Sequence, residues 1–283
     1  FQTSDLAKIA LIMFVARMLA KNQDNINDFK KSFLPIILTI SGICALIMPA
    51  NLSTAVLLFT TCLILMFIGR VYYLHLLGLL AILIVSASLF LVLIFNFPEV
   101  GRFGTWKNRI ENHFDKDSED NYQADQAKIA IAGGKIIGKF PGNSTQRNFL
   151  PHPYSDFIYA IIIEEYGIIG GIIILLLYLI LLYRGMRISA RSPGSFGAFL
   201  TIGVCLMLVL QAIANMAVAV GMLPVTGQPL PLVSMGGTSI WFTSIAIGIM
   251  LSVSAEVELE EAKKSKAENT ESEQKLKTAQ ATN

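Results

Sequence analysis

The sequence predicts an all-α, polytopic helical membrane protein, and three observations lead there. Of its 283 residues, 54% are hydrophobic and 15% charged, with a mean hydropathy of +0.60, too apolar for a soluble domain of this size. The apolar residues gather in runs of about 20, the length that crosses a bilayer as a helix. Between the runs, connections rich in Lys and Arg alternate with connections that have none, as in a chain threaded back and forth. The formal charge of +2 is too small to point to a nucleic-acid partner. Cys44, Cys62 and Cys205 lie inside apolar runs without metal-ligand spacing, as buried small hydrophobes do.

About seven spans are expected. Four, at 4–20, 32–49, 51–69 and 74–97, make a first transmembrane block (1–97); three, at 156–183, 196–222 and 236–254, make a second (156–254). Asp5, Lys8 and Arg17 interrupt the first, which therefore has to pack against other helices. Asp5 and Lys8 are three apart and can pair on one face. Basic residues follow the first run (Lys21, Lys30, Lys31), the third (Arg70) and the fifth (Arg184, Arg187, Arg191), and recur in the tail, whereas the connections at 49–51 and 223–235 carry none. The basic set and the C-terminus are therefore expected in the cytoplasm and Phe1 outside. Segment 98–155 becomes a large extracytoplasmic loop, long enough to be translocated despite its charge. An outside start with an odd number of spans implies an odd number of helices upstream if the true N-terminus is cytoplasmic, and FQTSDLAK reads as a truncation without a signal peptide.

Within the loop, 105–114 and 122–132 read as short amphipathic helices, with Trp106 and Tyr122 suited to the membrane interface. The intervening acids Asp115, Asp117, Glu119 and Asp120 read as a solvated turn. Gly133–Lys139 approaches the phosphate-loop pattern GxxxxGK[ST] but has Phe140 where the hydroxyl residue belongs, and no strand precedes it. Gly133, Gly134, Gly138 and Gly142 let backbone amides approach a ligand, and Lys135, Lys139 and Arg147 add positive charge. The set suits a diphosphate at the membrane surface; it suits equally a loop whose lysines meet anionic headgroups.

Asp156 follows Ser155, a favourable N-cap, at the mouth of a long apolar helix. Its carboxylate either complements the helix dipole, for about 0.3–1 kcal/mol, or takes a proton from a sugar hydroxyl at the membrane edge. Local sequence leaves both open. Glu164 and Glu165 lie two turns deeper, where structural ion pairing is the favoured reading and at least one must face the bundle interior. Gln211 and Asn215, four apart, are expected to bridge helices. The uncharged, Pro- and Gly-dense stretch 223–239 is expected to re-enter the membrane and line a cavity. The tail 255–283 is charged and cytoplasmic, a helical extension that frays into disorder.

Two stretches carry a resemblance. Asn215–Ser239, NMAVAVGMLPVTGQPLPLVSMGGTS, resembles the LPVTGxPLPxxSxGGSS signature of the SEDS family (FtsW/RodA/SpoVE), and Gly138–Gly167 resembles its GKGxGNSxQxxxLPExHTDFIFxxxxEExG. FQTSDLAK, the Trp106–Ile110 segment and Tyr122-Gln123 with Gln126 agree more loosely. The resemblance covers the chain apart from its tail. It implies the last seven helices of a ten-helix glycosyltransferase of the bacterial cytoplasmic membrane. Such an enzyme polymerises lipid II, an undecaprenyl-diphosphate-linked substrate, on the outer face for division or cell shape. Implied partners are a class B penicillin-binding protein and divisome or elongasome membrane proteins.

The family's essential aspartate falls on Asp156, expected to be the catalytic base of an inverting transfer. Lys139, Arg147, Lys135, Gly138, Gly142, Ser144 and Gln146 are expected to bind substrate, with His152, Glu165, Gln211 and Asn215 in support. No metal-ligating residues are assigned, although a divalent cation (Mg or Mn) could share in stabilising the diphosphate. This chain departs from the family at His152 and Tyr154, which replace Glu and His, at Asn148, at Phe140 in place of Gly, and at Asn51-Leu52-Ser53 in place of Asp-Leu-Gly. A lipid II flippase, using Asp5, Lys8, Glu164 and Glu165 as a polar path, and a noncatalytic scaffold that activates the penicillin-binding protein are the competing readings.

Overall fold

The computed structural model describes residues 3–96, 104, 107, 119–150 and 153–281, and among them every regular element is a helix. The long helices are α1 (Thr3–Lys21), α2 (Leu34–Ile47), α3 (Leu52–Ile68), α4 (Tyr73–Asn96), α5 (Glu119–Gly134), α6 (Ile158–Arg191), α7 (Ser195–Ala219) and α8 (Gly237–Ala281). Among the described residues, five stretches are long and apolar enough to cross a membrane: Phe29–Ile47, Tyr73–Asn96, Ile158–Arg191, Ser195–Ala219 and Ser239–Ala267. The other two expected spans coincide with α3, shorter at 17 residues, and with α1, which carries the charges.

Local chemistry sets the helix ends. A π-helical turn, Phe29–Phe33, leads into α2, and Asp28 caps it by accepting from the amides of Lys30 (2.9 Å) and Lys31 (3.2 Å). Pro35 sits in the first turn of α2, where its missing N–H costs nothing. Asn51 caps α3 by accepting from the Thr54 amide at 3.1 Å.

The core is built around α7, whose buried residues extend from Leu200 to Ala219. Leu208 and Val209 join Ile12, Val15 and Leu19 of α1 and Leu58 and Leu65 of α3 in one apolar cluster. Burial makes α1 stable despite its charges: Lys8 and Asp5 pair at 2.7 Å, and Lys8 Nζ also donates to Gln211 Oε1 of α7 at 3.3 Å. A second cluster joins Ala127 and Ala130 of α5, Phe157, Ala160 and Ile163 beside and within α6, and Ala212 and Met216 of α7. It underlies the candidate site. Helix α4 is different, with Ile94 its only buried side chain among those described. Its aliphatic surface suits acyl chains as solvent.

Two expectations change and a third holds. The loop helix expected over 122–132 begins at Glu119 and ends at Gly134, while 105–114, apart from Lys107, lies outside the described residues, as do Asp115, Asp117 and Trp106. The chain 221–236 has no helix or strand, so the irregular segment expected over 223–239 gives way to α8 at Gly237. The tail is the helical extension expected, with α8 continuing to Ala281. Strong helix formers fill it, and Lys263 and Glu260 pair three residues apart at 3.1 Å.

Candidate active site

Helix α6 is broken at Gly167, whose φ of 71° and ψ of −175° are not helical. The glycine loop after α5 fills the break. Lys139 N donates to the Glu164 carbonyl at 2.9 Å, and Ile168 N donates to the Lys135 carbonyl at 2.9 Å. The two groups that would have bonded each other inside an unbroken helix are thereby both satisfied by the loop. Only glycines permit the approach. A Cβ on Gly134 would lie 2.0 Å from the Ile163 oxygen, one on Gly138 2.3 Å from the Glu165 oxygen, and one on Gly167 2.0 Å from the Ile136 oxygen.

Side chains lock the same junction. The Glu164 carboxylate is fully buried. At Oε1 it accepts from Lys139 Nζ (2.6 Å), Thr145 Oγ1 (2.9 Å) and Thr145 N (3.2 Å). At Oε2 it accepts from Ser144 Oγ and from Gln146 N (3.3 Å). Ser144 Oγ in turn accepts from Arg147 N at 3.1 Å. A buried carboxylate is tolerable only with such a full set of donors, so the acid fixes residues 139–147 as a unit.

The second half of the site is the turn 153–157. Phe157, the N-cap of α6, makes no side-chain cap bond, and Ser155 is not the cap its position suggested. Its hydroxyl donates to Asp156 Oδ1 at 3.0 Å. The backbone of this turn is stitched to the irregular loop 221–236. Asn215 Nδ2 donates to the carbonyls of Asp156 and Gln228, both at 2.8 Å. Ser234 Oγ donates to the Ser155 carbonyl at 2.6 Å, and Met235 N to the Tyr154 carbonyl at 2.8 Å. The loop itself is held by Gln211 Nε2 to the Pro229 carbonyl (2.9 Å), by Gln228 Nε2 to Thr54 Oγ1 of α3 (2.7 Å) and by Tyr178 OH to the Pro231 carbonyl. The Asp156 carboxylate is half-buried and faces Gly227, where a Cβ would come 3.8 Å from Oδ2.

The structure sorts the expected site residues. Lys139, Gly138 and Ser144 belong to the clamp on α6, so the close approach that Gly138 permits is to α6 backbone. Lys139 also donates to Thr145 Oγ1 at 2.9 Å, leaving one of its three donors. Gly142 has φ +82° and open space around it. Gln146 Oε1 has no partner among the described residues. Arg147, half-buried, and Lys135, exposed, have side chains with no ion-pair or hydrogen-bond partner among the described residues. His152 lies outside the described residues. Glu164 is the pivot, whereas Glu165 makes no side-chain hydrogen bond among them. Gln211 and Asn215 act mainly between helix and loop; only the Lys8 contact of Gln211 bridges helices. Sequence reasoning missed Thr145, Thr54, Tyr178 and Ser234, whose hydroxyls carry no local signal of their distant partners.

No three His, Cys, Asp or Glu side chains converge among the described residues. Glu164 is saturated with donors and has no lone pair left for a cation, so of the two acids the Asp156 carboxylate is the one that could contribute to holding a divalent ion. The cavities beside Lys8 measure about 20 and 10 Å³, room for about one water each.

A family model described as cell cycle protein (FTSW_RODA_SPOVE) matches residues 1–259. Stage V sporulation protein E of Bacillus subtilis (strain 168) is 34% identical over 258 residues, covering 89% of this chain and 68% of that protein. The probable peptidoglycan glycosyltransferase FtsW of Geobacter metallireducens is 33% identical over 258 residues, with 89% and 66% covered. The peptidoglycan glycosyltransferase MrdB of Escherichia coli (strain K12) is 32% identical over 259 residues, with 89% and 68% covered. The chain thus spans about two thirds of the length of these relatives. Among solved structures, a peptidoglycan synthase complex that coordinates polymerization and crosslinking superposes with a TM-score of 0.71 at 24% identity, covering 91% of this chain and 70% of that one. The rod shape determining protein RodA of Thermus thermophilus follows at a TM-score of 0.59 and 22% identity, covering 90% and 66%. At these identities the structures speak for the fold.

Proposed function

The chain belongs to the FtsW/RodA/SpoVE (SEDS) family of cell cycle proteins, and from that membership we propose that it carries the active site of a peptidoglycan glycosyltransferase that polymerises lipid II at the outer face of the bacterial cytoplasmic membrane. The observation that carries the proposal is the setting of Asp156. Its backbone is immobilised by Asn215, while its carboxylate is half-buried, receives one short-range donor from Ser155 and faces a glycine. A base needs such a fixed position and free lone pairs.

In the proposed reaction Asp156 accepts the proton of the acceptor sugar 4-hydroxyl as that oxygen bonds to the anomeric carbon of the donor. The anomeric C–O bond to the diphosphate breaks with its electron pair, and attack from the opposite face inverts the configuration. Arg147 and Lys135, the cations that remain uncommitted, stabilise the leaving diphosphate. Lys139 acts indirectly, by holding the loop to Glu164. A class B penicillin-binding protein would cross-link the product, a pairing supported by the likeness to a synthase complex of polymerization and crosslinking.

The test is lipid II polymerisation by the intact protein with its partner. Asp156→Asn should lower the rate about 10²–10⁴-fold, the contribution of a general base. Full activity in the folded variant sinks the assignment, and rescue of a deletion strain by that variant would favour the scaffold reading. For transport, three of the four residues named as a polar path are engaged by local partners, Asp5 with Lys8 and Glu164 with Lys139, which leaves Glu165 alone of the four without a side-chain bond among the described residues.

A further inference from the structure

At the end of α6 remote from Asp156, a cleft of about 550 Å³ opens between α6 and α8. Arg184, Arg187 and Arg191 recur on α6 at intervals of three and four and therefore share a face, which forms one rim of the cleft. Ile180, Ile247 and Leu251 form its apolar floor. Glu258 and Glu261 stand on the α8 side. Arg191 reaches Glu261 at 3.7 Å. Arg184 and Arg187 are exposed and have no partner among the described residues, so the cleft keeps two uncommitted guanidinium groups against the single unpaired carboxylate of Glu258.

We propose that this cleft binds an anionic phospholipid, distinct from the substrate, with its phosphate on Arg184 and Arg187 and an acyl chain along Ile180, Ile247 and Leu251. Guanidinium groups match phosphate oxygens in a bidentate manner. The floor residues lie within the two apolar stretches Ile158–Arg191 and Ser239–Ala267, so the occupant has to reside in the bilayer, which favours a lipid over a soluble acidic peptide. From the break at Gly167 to Arg191 the helix rises roughly 36 Å, more than the hydrocarbon core of a bilayer, which puts this cleft in the leaflet opposite Asp156. The occupant is therefore a resident of the other monolayer.

The test is native mass spectrometry of the intact purified protein offered phosphatidylglycerol or phosphatidylcholine of identical chains. The wild type should retain phosphatidylglycerol roughly thirty-fold more, given two basic residues near the surface. Arg184→Gln with Arg187→Gln should abolish the preference, and glycerol phosphate alone should not compete. Leu251→Trp, which fills the floor without touching the charges, should lower retention of the intact lipid. Equal retention of the two lipids by the wild type, or an unchanged preference in the double variant, overturns the proposal. Competition by glycerol phosphate would overturn the acyl-chain part by assigning the cleft to free phosphate esters. Because Arg184 and Arg187 are exposed, the double variant should keep the wild-type melting temperature.

Discussion

Asp156 and Glu164 lie only two turns apart, and the fold treats them in opposite ways. Glu164 is sealed, with five donor groups converging on its carboxylate, one of them the Lys139 ammonium. Asp156 is held by its backbone carbonyl through Asn215, and among the described residues its carboxylate receives only the Ser155 hydroxyl. The first acid is consumed by structure. The second is fixed in place without being neutralised, which is what a reactive group requires. The contrast also divides the cations: Lys139 serves the sealed acid, and Arg147 and Lys135 are left for a ligand.

The comparison breaks first at Asp156. Its conversion to Asn should remove about 10²–10⁴ of the rate and leave the melting temperature unchanged, since no buried donor loses a partner. A variant that lost activity and stability together would mark Asp156 as structural. Glu164→Ala should do the reverse. It strands Lys139 and the Ser144–Gln146 turn, at a cost of about 3 kcal/mol, taken at the low end because the Lys139 side chain is 35% exposed and water recovers part of its charge. Thermal unfolding in detergent should register the loss, and activity should return in part at low temperature.

Asn215→Ala tests the clamp between the halves. The carbonyls of Asp156 and Gln228 lose their shared donor in a site where Asn215 is 1% exposed, a cost of about 1–3 kcal/mol. Activity should fall with stability, because the loop 221–236 and the Asp156 turn part together. Retained activity with lowered stability would show that the turn keeps its place without the loop.

How far the site was legible follows from the range of the forces that make it. The spans were readable because each is a local apolar run, and the Asp5–Lys8 pair because its members are neighbours on one helix face. The irregular loop before α8 was announced by its own Pro and Gly. The break at Gly167 was not, since IEEYGIIGG reads as an uninterrupted apolar helix. What opens it is a loop some thirty residues upstream, whose carbonyls and amides replace those of the helix. Glu164 and Glu165 look alike in sequence, yet adjacent helix residues point about 100° apart. Only the packed structure says which one is sealed.

The smallest expected effect is the most discriminating. Ser155→Ala removes the one hydroxyl among the described residues that donates to the Asp156 carboxylate, at 3.0 Å, without disturbing the Ser155 carbonyl that Ser234 holds. If the backbone fixes Asp156, as the bonds from Asn215 and Ser234 imply, the side chain loses only a rotational restraint. The specificity constant for polymerisation should then drop about three- to ten-fold, up to 1.4 kcal/mol of barrier, with an unchanged melting temperature. A loss as large as that of Asp156→Asn would mean that the hydroxyl, rather than the clamped backbone, sets the position of the base, and the two acids would then be held by the same device.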